Sequence, residues 1–221
     1  MNAPTVAARE VHVPVGNVSL TGDLVLPEGP AGIVIFAHGT GSGRHSPRNR
    51  EVATTLNDAG VGTLLVDLLT SDEEAIDRRT SEHRFDIGLL ARRVIAAVDW
   101  LREGAAASLP IGLFGASTGA AAALVAAAVR PEKVAAVVSR GGRPDLAGDV
   151  LEHVRAPTLL IVGGADEPVL ELNERALEWL RTEKRLVVVP GATHLFDEPG
   201  ALEQVADLAA EWFLGHFRSA E

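Results

Sequence analysis

The pattern of hydrophobic and polar positions changes after Pro30. Before it, residues 11–16 and 18–26 are rich in β-forming side chains, and Gly16-Asn17 between them is a hairpin-type turn signal. Beyond it, apolar residues form short continuous runs, as strands that are buried on both faces require. These runs are residues 32–37, 62–66, 110–114, 134–138, 158–162 and 185–189. The pattern predicts an antiparallel hairpin at the edge of a sheet whose other strands are parallel.

Segments with helical spacing lie between these runs. They are residues 48–59, 87–102, 117–129, 170–181 and 201–217. Ser46 before Pro47 is a helix N-cap signal, and Gly60 lies where a left-handed helix stop is expected. The polar segment 71–82 is expected to be an exposed loop that crosses the rim of the sheet's active edge. Alternating strands and helices predict an α/β fold with about eight mostly parallel strands, helices on both faces, and ligands bound beyond the carboxyl ends of the strands.

Composition narrows the classes of partner. The chain has 221 residues, 47% of them apolar, which fits a single domain over residues 1–221. A net charge of -10 repels phosphate backbones and anionic lipid, so neither nucleic acid nor a membrane is expected as a partner. The chain has no cysteine, which removes disulfides, thiolate metal sites and a cysteine nucleophile. With no signal-peptide pattern and no apolar run longer than residues 120–129, we expect a cytoplasmic protein. The sequence predicts no particular oligomeric state.

One glycine-flanked serine stands where a predicted strand meets a predicted helix. Gly115-Ala116-Ser117-Thr118-Gly119 has the form G-x-S-x-G. A turn this tight strains its central residue and projects the side chain at the carboxyl edge of the sheet. There the helix N-terminus favours the negative charge that develops during acyl transfer. We therefore expect Ser117 to be a nucleophile, and the alternative is a serine that only caps the following helix.

A serine hydroxyl becomes a good nucleophile only beside a base, which a third group must orient. Asp166 and His194 each follow a predicted strand through a short glycine-containing loop, so both are expected at the edge that carries Ser117. The order Ser117, Asp166, His194 is the one that a nucleophile on this type of turn demands. Asp145, after the sixth strand, is the rival acid, and helix capping is the alternative role for Asp166.

Acyl transfer also requires two hydrogen-bond donors for the oxyanion. One is expected from the backbone N–H of Thr118, the residue after the serine. The second is expected from the glycine loop after the third strand, with Thr40 as the first choice and Gly41 as the alternative. His38, which begins that loop, is expected to brace the turn rather than to abstract a proton.

Arginines cluster beside these loops. Arg44 follows the glycine loop, and Arg140 and Arg143 follow the sixth strand, all at the expected active edge. Together with Gly41, they are candidates for binding an anionic substrate or its carboxylate product. The alternative is that they are solvated loop residues paired with aspartates such as Asp145. No metal-binding or dinucleotide motif follows the first parallel strand, so neither a metal nor a cofactor is expected.

These motifs resemble those of the α/β-hydrolase superfamily, and within it the dienelactone hydrolase-like group. The resemblance covers nearly the whole chain and rests on the loop after His38, the turn 115–119, GGADEPV at 163–169 and GATHLF at 191–196. Residues 38–50 also resemble hydrolase domains that occur alone or fused to phosphoribosyltransferase-like domains, and no such second domain is expected here. Dienelactone hydrolases proper use a cysteine nucleophile. The serine here therefore implies carboxylester or thioester hydrolysis rather than lactone specificity.

The segment 139–157 is too short to hold a cap domain, so we expect an open, shallow pocket for small acyl groups. The expected function is hydrolysis of a small-molecule carboxylic ester by Ser117, His194 and Asp166 through an acyl-enzyme, without a cofactor. The same residues could cleave thioesters, lactones or amides. A non-catalytic binding module on the hydrolase scaffold is the competing class.

Overall fold

A mixed sheet organises the chain. The computed structural model describes residues 7–39, 41–104 and 106–218. The strands are β1 Arg9–Val15, β2 Val18–Val25, β3 Ile33–Ala37, β4 Gly62–Val66, β5 Ile111–Ala116, β6 Val134–Arg140, β7 Thr158–Gly163 and β8 Lys184–Val189. Their spatial order is β1-β2-β4-β3-β5-β6-β7-β8. The pairs β1/β2 and β2/β4 are antiparallel and the remaining pairs are parallel, which confirms the predicted edge hairpin and the mostly parallel sheet.

The central strands are buried along their whole length. Every residue of β3, β4, β5 and β7 is buried. Successive side chains point to opposite faces, so a strand covered on both sides needs apolar residues at consecutive positions. In register, Ala37 lies opposite Gly115, and Ala116 lies opposite Arg140. The loops that follow these strands therefore meet at one edge of the sheet.

Helices cover both faces of the sheet, as predicted. They are α1 Pro47–Asp58, α2 Ser71–Thr80, α3 Ile87–Glu103, α4 Thr118–Val129, α5 Glu167–Trp179 and α6 Ala201–Phe217. Helices α1 and α6 pack on the face that contains Phe36 and Phe213, while α3, α4 and α5 pack on the other. The five predicted helices are confirmed. Helix α5 begins earlier than predicted because Pro168 fits its first turn.

The prediction of an exposed loop at 71–82 is wrong, because most of this segment is α2. Its N-terminus has a reciprocal cap: the Thr70 hydroxyl accepts from the backbone N–H of Glu73, and the Glu73 carboxylate accepts from that of Thr70. Glu73 also pairs with Arg93 of α3 at 2.7 Å. Capping hydrogen bonds and ion pairs, rather than an apolar face, stabilise this helix. Hydrophobic spacing therefore gave no signal of it.

The connection from β6 to β7 contains no cap domain. Residues 141–157 are all described, and within them Pro144–His153 form a 3-10 segment that is interrupted at Gly148, where φ is 58°. The segment packs against α4 and α5. Among the described residues, no helix combines the length and the apolar character that crossing a membrane requires.

Candidate active site

The expected nucleophile, Ser117, forms a turn that needs glycine on both sides. The chain passes from β5 into α4 through Ser117 alone, and its φ of 51° and ψ of -123° are strained for a residue with a side chain. A Cβ on Gly115 would lie 2.4 Å from the Cα of Ala120, and one on Gly119 would lie 2.1 Å from the carbonyl oxygen of Ala37. Close approach of the backbone therefore requires both glycines of the motif.

Backbone hydrogen bonds tie this turn to the end of β6. The N–H of Ser117 donates to the carbonyl of Arg140 at 3.4 Å. The carbonyl of Ser117 accepts from the N–H of Ala120 at 3.1 Å and from that of Arg143 at 3.0 Å. Ser117 occupies the N-cap position of α4, but its hydroxyl makes no capping hydrogen bond within the described ranges. The geometry therefore does not favour the alternative of a serine that only caps the helix.

His194 and Asp166 meet at the same edge of the sheet. Nδ1 of His194 lies 2.7 Å from Oδ2 of Asp166. Because an ionised carboxylate only accepts hydrogen bonds, we assign the proton to Nδ1, which leaves Nε2 able to accept a proton. Asp166 stands at the N-cap of α5, yet its side chain makes no cap bond to the described part of that helix. The rival acid, Asp145, instead pairs with Arg143 through two hydrogen bonds of 2.8 and 2.7 Å.

Ser117 and His194 line the same cavity. Gly141, directly after β6, lies beside the imidazole: a Cβ added to this glycine would be 3.6 Å from Cε1 of His194. No hydrogen bond in the described part of the chain joins the Ser117 hydroxyl to His194. Such bonds are often long without substrate and tighten in the complex. Sequence reasoning missed Gly141, although the Gly141-Gly142 pair after a buried strand was the available signal.

The glycine loop after β3 approaches the same turn. A Cβ on Gly39 would lie 2.8 Å from the Cβ of Ser117, so the backbone of the loop lies against the serine. Nδ1 of His38 donates to the Gly39 carbonyl at 3.0 Å, and its Nε2 accepts from the N–H of Leu68 at 2.8 Å. Burial lowers the pKa of His38, which keeps the imidazole neutral. Both ring nitrogens therefore brace the loop, which is the role expected from the sequence.

The expected oxyanion donors belong to this loop and to the start of α4. Thr118 is the first residue of α4 and lines the cavity. Thr40, the first choice for the second donor, lies outside the described residues. Gly41, the alternative, has a φ of 65° and lines the cavity. The loop and the helix start thus both contribute residues to the cavity wall.

Two of the three candidate arginines are paired within the protein. Arg44 contacts three carboxylates at 2.8 to 3.2 Å, those of Glu10, Asp23 and Asp67. It is not among the described residues that line the cavity. Arg143 pairs with Asp145, and this hydrogen bond raises the pKa of Arg143. Arg44 and Arg143 therefore follow the alternative expectation, in which the arginines of these loops pair with acidic residues of the protein.

The third arginine, Arg140, is buried and forms no ion pair with the residues that the structure describes. It is 9% exposed and lines the cavity. Within the described ranges, its Nε and Nη1 have no hydrogen-bond partner, and no salt bridge joins it to a carboxylate. Its Cζ lies 6.0 Å from the centre of the Phe196 ring. Burial, with the positive charge of Arg48 as a smaller cause, lowers the pKa of Arg140 to about 10, so the guanidinium stays charged at neutral pH.

The cavity has a volume of about 670 Å³, and part of its wall comes from α2 and the residues that follow it. Asp77 and Arg84 both line this wall and pair with each other at 2.9 Å. Sequence reasoning missed the wall together with α2, although Thr70 and Glu73 carried the capping signal. Across the described ranges, no group of three or more His, Cys, Asp or Glu residues could hold a metal ion.

The mostly parallel eight-stranded sheet, with a serine held at a strand-to-helix turn, defines the class of protein: it is an α/β hydrolase. The Dienelactone hydrolase family matches residues 20–215, and the chain belongs to this family. The predicted fold class and the resemblance noted in the sequence are both confirmed. Family and fold together support a hydrolase, and therefore an enzyme.

Similar proteins extend this assignment. The crystal structure of a dienelactone hydrolase from Anabaena variabilis is 62% identical, with a TM-score of 0.94, over 96% of this chain and 98% of that one. A Xanthomonas campestris structure, described as a member of a/b serine hydrolase without lid, is 22% identical with a TM-score of 0.70 over 97% and 93% of the two chains, and shows the shared fold. Two Mycobacterium tuberculosis proteins named "Putative phosphoribosyl transferase" are 59% identical over 214 residues, 96% of this chain and 47% of theirs. The chain thus spans about half the length of these curated relatives.

Proposed function

We propose that this chain is a serine hydrolase that cleaves small carboxylic esters through an acyl-enzyme intermediate. The observation that carries the proposal is the 2.7 Å contact between His194 and Asp166, at the edge where a strained turn holds Ser117. A base oriented by a carboxylate, lining the same cavity as a serine, is the arrangement that activates a hydroxyl.

In the first half of the reaction, the oxygen of Ser117 bonds to the carbonyl carbon of the ester while Nε2 of His194 takes the hydroxyl proton. Asp166 holds the ring through Nδ1 and stabilises the imidazolium. Collapse of the tetrahedral intermediate breaks the bond between the acyl carbon and the alcohol oxygen. His194 then gives its proton to the departing alcohol, and the acyl group remains on Ser117.

Water completes the cycle. Its oxygen bonds to the acyl carbon while His194 takes one of its protons, and that proton returns to the Ser117 oxygen as the acyl group leaves. One ester and one water give one carboxylic acid and one alcohol. In both halves, the negative carbonyl oxygen would accept from the backbone N–H of Thr118 and from that of Thr40 or Gly41.

Lactone hydrolysis is the second candidate. The Anabaena variabilis relative, 62% identical, is named a dienelactone hydrolase. A lactone is a cyclic ester, so the same steps would open its ring. Thioesters and amides would require the same residues, and comparing kcat/KM for short p-nitrophenyl esters, their thioester and amide analogues and a simple aryl lactone ranks these substrates directly.

Phosphoribosyl transfer is not part of the proposal. That name belongs to relatives of which this chain spans only 47%. The residues gathered around the cavity, a serine, an oriented histidine and backbone amides, suit acyl transfer instead.

The proposal is tested by replacing Ser117 with alanine. Turnover of a short p-nitrophenyl ester should fall by about 10⁴- to 10⁶-fold, because the attacking oxygen is gone while the fold is kept. The thermal melt checks the fold, and retained turnover in a folded variant would reject the proposal.

A fluorophosphonate probe separates the enzyme from a non-catalytic binding module. An activated serine reacts with the probe, so the wild-type protein should be labelled at Ser117 and the Ser117→Ala variant should not. Folded wild-type protein that resists labelling would favour the binding module.

A further inference from the structure

Two consecutive residues after β4 hold the glycine loop that follows β3 at its two ends. At the start of the loop, the N–H of Leu68 donates to Nε2 of His38 at 2.8 Å. At its end, the N–H of Arg44 donates to Oδ1 of Asp67 at 2.7 Å. Because β3 and β4 are parallel neighbours, the loops that follow them leave the sheet at the same edge. The two hydrogen bonds therefore enclose residues 39–43.

Asp67 lies closely against the end of this loop. A Cβ on Gly43 would lie 2.7 Å from Oδ1 of Asp67, so the carboxylate occupies the space that a side chain there would need. The N–H of Asp67 donates to the carbonyl of Thr21 in β2 at 2.9 Å, which attaches the aspartate to the sheet. A hydrogen bond from an N–H to a carboxylate is stronger than one between neutral groups. Asp67 therefore anchors the loop to the sheet.

The side chain of Arg44 holds the same carboxylate. Its Nε lies 3.2 Å from Oδ2 of Asp67, and its Nη1 donates to Asp23 at 2.8 Å and to Glu10 at 2.9 Å. Glu10 lies in β1 and Asp23 in β2, so the arginine is bound to the edge hairpin. Both partners of the hydrogen bond between Arg44 and Asp67 are therefore attached to strands of the sheet.

The enclosed segment lies against the proposed nucleophile. A Cβ on Gly39 would be 2.8 Å from the Cβ of Ser117. Gly41 lines the cavity together with Ser117, and the segment contains both candidates for the second oxyanion donor, Thr40 and Gly41. Such a donor acts only when its N–H lies about 2.7 to 3.1 Å from the position that the negative oxygen will occupy. A small displacement of this segment would therefore weaken the stabilisation of the transition state.

The composition of the segment means that its position depends on its ends. Three of its five residues are glycine, the residue with the most backbone freedom. Among its described residues, the hydrogen bond from the N–H of Ser42 to the carbonyl of Gly39, at 3.2 Å, is the only internal backbone bond. The hydrogen bond that Asp67 accepts from Arg44 restricts the end that follows Gly41.

We propose that Asp67 is a positioning residue for the hydrolysis: by accepting the N–H of Arg44, it keeps an amide of the glycine loop directed at the carbonyl oxygen of the ester. This inference rests on the proposed esterase function and adds a residue that acts through the backbone of the loop. The carbonyl oxygen becomes negative only as the transition state and the tetrahedral intermediate form. Loss of Asp67 therefore lowers kcat and leaves KM nearly unchanged.

The test changes the contact from both sides. Asp67→Ala removes the acceptor and should lower kcat for a short p-nitrophenyl ester by about 10- to 100-fold, less than the loss of a whole oxyanion donor, with KM within about threefold. Asp67→Asn keeps an oxygen that can accept the N–H of Arg44, so it should lose less than about fivefold. Gly43→Ala places a Cβ 2.7 Å from Oδ1 of Asp67, which separates the loop from the carboxylate and should lower kcat by a similar factor to Asp67→Ala.

Asp23→Ala is the matched control. Asp23, like Asp67, contacts the guanidinium of Arg44, at 2.8 Å. In the described part of the chain, its oxygens bond only to the side chains of Arg44 and Arg50, and not to the backbone of the glycine loop. The control therefore removes a carboxylate from the same arginine and leaves the bond to the loop in place. Its kcat should stay within about threefold of the wild-type value.

Benzeneboronic acid gives a second readout. It adds to an active serine to form a negatively charged tetrahedral adduct, which needs the same oxyanion donors as the intermediate. Its inhibition constant should therefore rise in the Asp67→Ala protein by about the factor by which kcat falls. A variant that merely contains fewer correctly folded molecules would lose kcat and keep the wild-type inhibition constant.

Wild-type kcat in the folded Asp67→Ala and Gly43→Ala proteins would overturn the inference and leave the esterase proposal intact. An equal loss in Asp23→Ala would also overturn it, because the ion pairs of Arg44 rather than the bond to the loop would then set the rate. A loss of kcat without a change in the inhibition constant would overturn it too. If circular dichroism shows that Asp67→Ala does not fold, kcat and the inhibition constant of Gly43→Ala decide. If the wild-type protein turns over no ester and is not labelled at Ser117, the esterase proposal itself fails, and this inference fails with it.

Discussion

Replacing Ser117 with glycine should stabilise the protein while removing the proposed nucleophile. The serine has φ 51° and ψ -123°, outside the regions that residues with a Cβ populate. A residue held in this way costs about 1 to 3 kcal/mol. Glycine adopts the same angles without a clash, but its greater freedom in the unfolded chain costs about 0.5 to 1 kcal/mol. The balance is a gain of roughly 1 kcal/mol in the free energy of unfolding.

Ser117→Ala is the matched control for this gain. It removes the same hydroxyl but keeps the Cβ, so the backbone strain remains. Since that hydroxyl makes no capping bond to the described residues, the alanine variant should lie within about 0.5 kcal/mol of the wild-type protein. The difference between the two variants isolates the strain. In a chain of this length, a gain of about 1 kcal/mol should raise Tm by about 2 to 4 °C.

Urea unfolding followed by far-ultraviolet circular dichroism, on all three proteins at one temperature, measures the effect. Equal m-values would show that the same surface is exposed in each case. A glycine variant that is no more stable than the alanine variant would refute the reasoning. That result would mean that the Cβ of Ser117 contributes more by packing near Gly39 than it costs in strain.

Three further predictions concern the surrounding residues. Asp166→Asn should lower kcat by about 10³- to 10⁴-fold because the imidazole loses its orienting carboxylate, whereas Asp145→Asn should cost less than about tenfold; the reverse order in steady-state assays would exchange the two roles. Arg140→Met should leave the free energy of unfolding unchanged or raise it, by at most about 3 kcal/mol, because burial lowers the pKa of Arg140 to about 10 and the resulting penalty is fully present below that pH. Urea titration at pH 7 measures this, and a loss above about 1 kcal/mol would contradict it. Burial lowers the pKa of His38, so below pH 6.5 the unfolded chain takes up a proton that the folded chain refuses. The free energy of unfolding should therefore decrease as the pH is lowered below 6.5, by up to about 1.4 kcal/mol per pH unit, and His38→Gln should flatten that slope when urea unfolding is measured at several pH values.

The sequence allowed the centre of the sheet to be predicted because burial on both faces imposes apolar residues at consecutive positions. It did not allow α2 to be predicted, because that helix depends on contacts that hydrophobic spacing does not report. Glu73 caps the helix and also pairs with Arg93, which lies in α3. The ion pair joins residues that are far apart in sequence, so it becomes visible only once the fold brings them together.

The same distinction applies to the candidate site. Ser117, Asp166 and His194 could be assigned to one edge because each follows a strand of a largely parallel sheet. Which arginine is left unpaired could not be predicted, since the acids that hold Arg44 come from both strands of the edge hairpin and from the loop after β4. Local sequence showed a basic cluster, and only the tertiary contacts single out Arg140.

The attachment of α2 has a consequence for how new specificities arise. Helix α2 has ten residues, lies outside the sheet, and buries one side chain, that of the charged Asp77. The serine turn, by contrast, is fixed by glycines that leave no space for a Cβ. Mutations at the exposed positions of α2 can therefore change this wall of the cavity one step at a time at little cost to the stability of the fold. Evolution or directed selection acting on this helix can change which molecules are admitted without rebuilding the scaffold beneath.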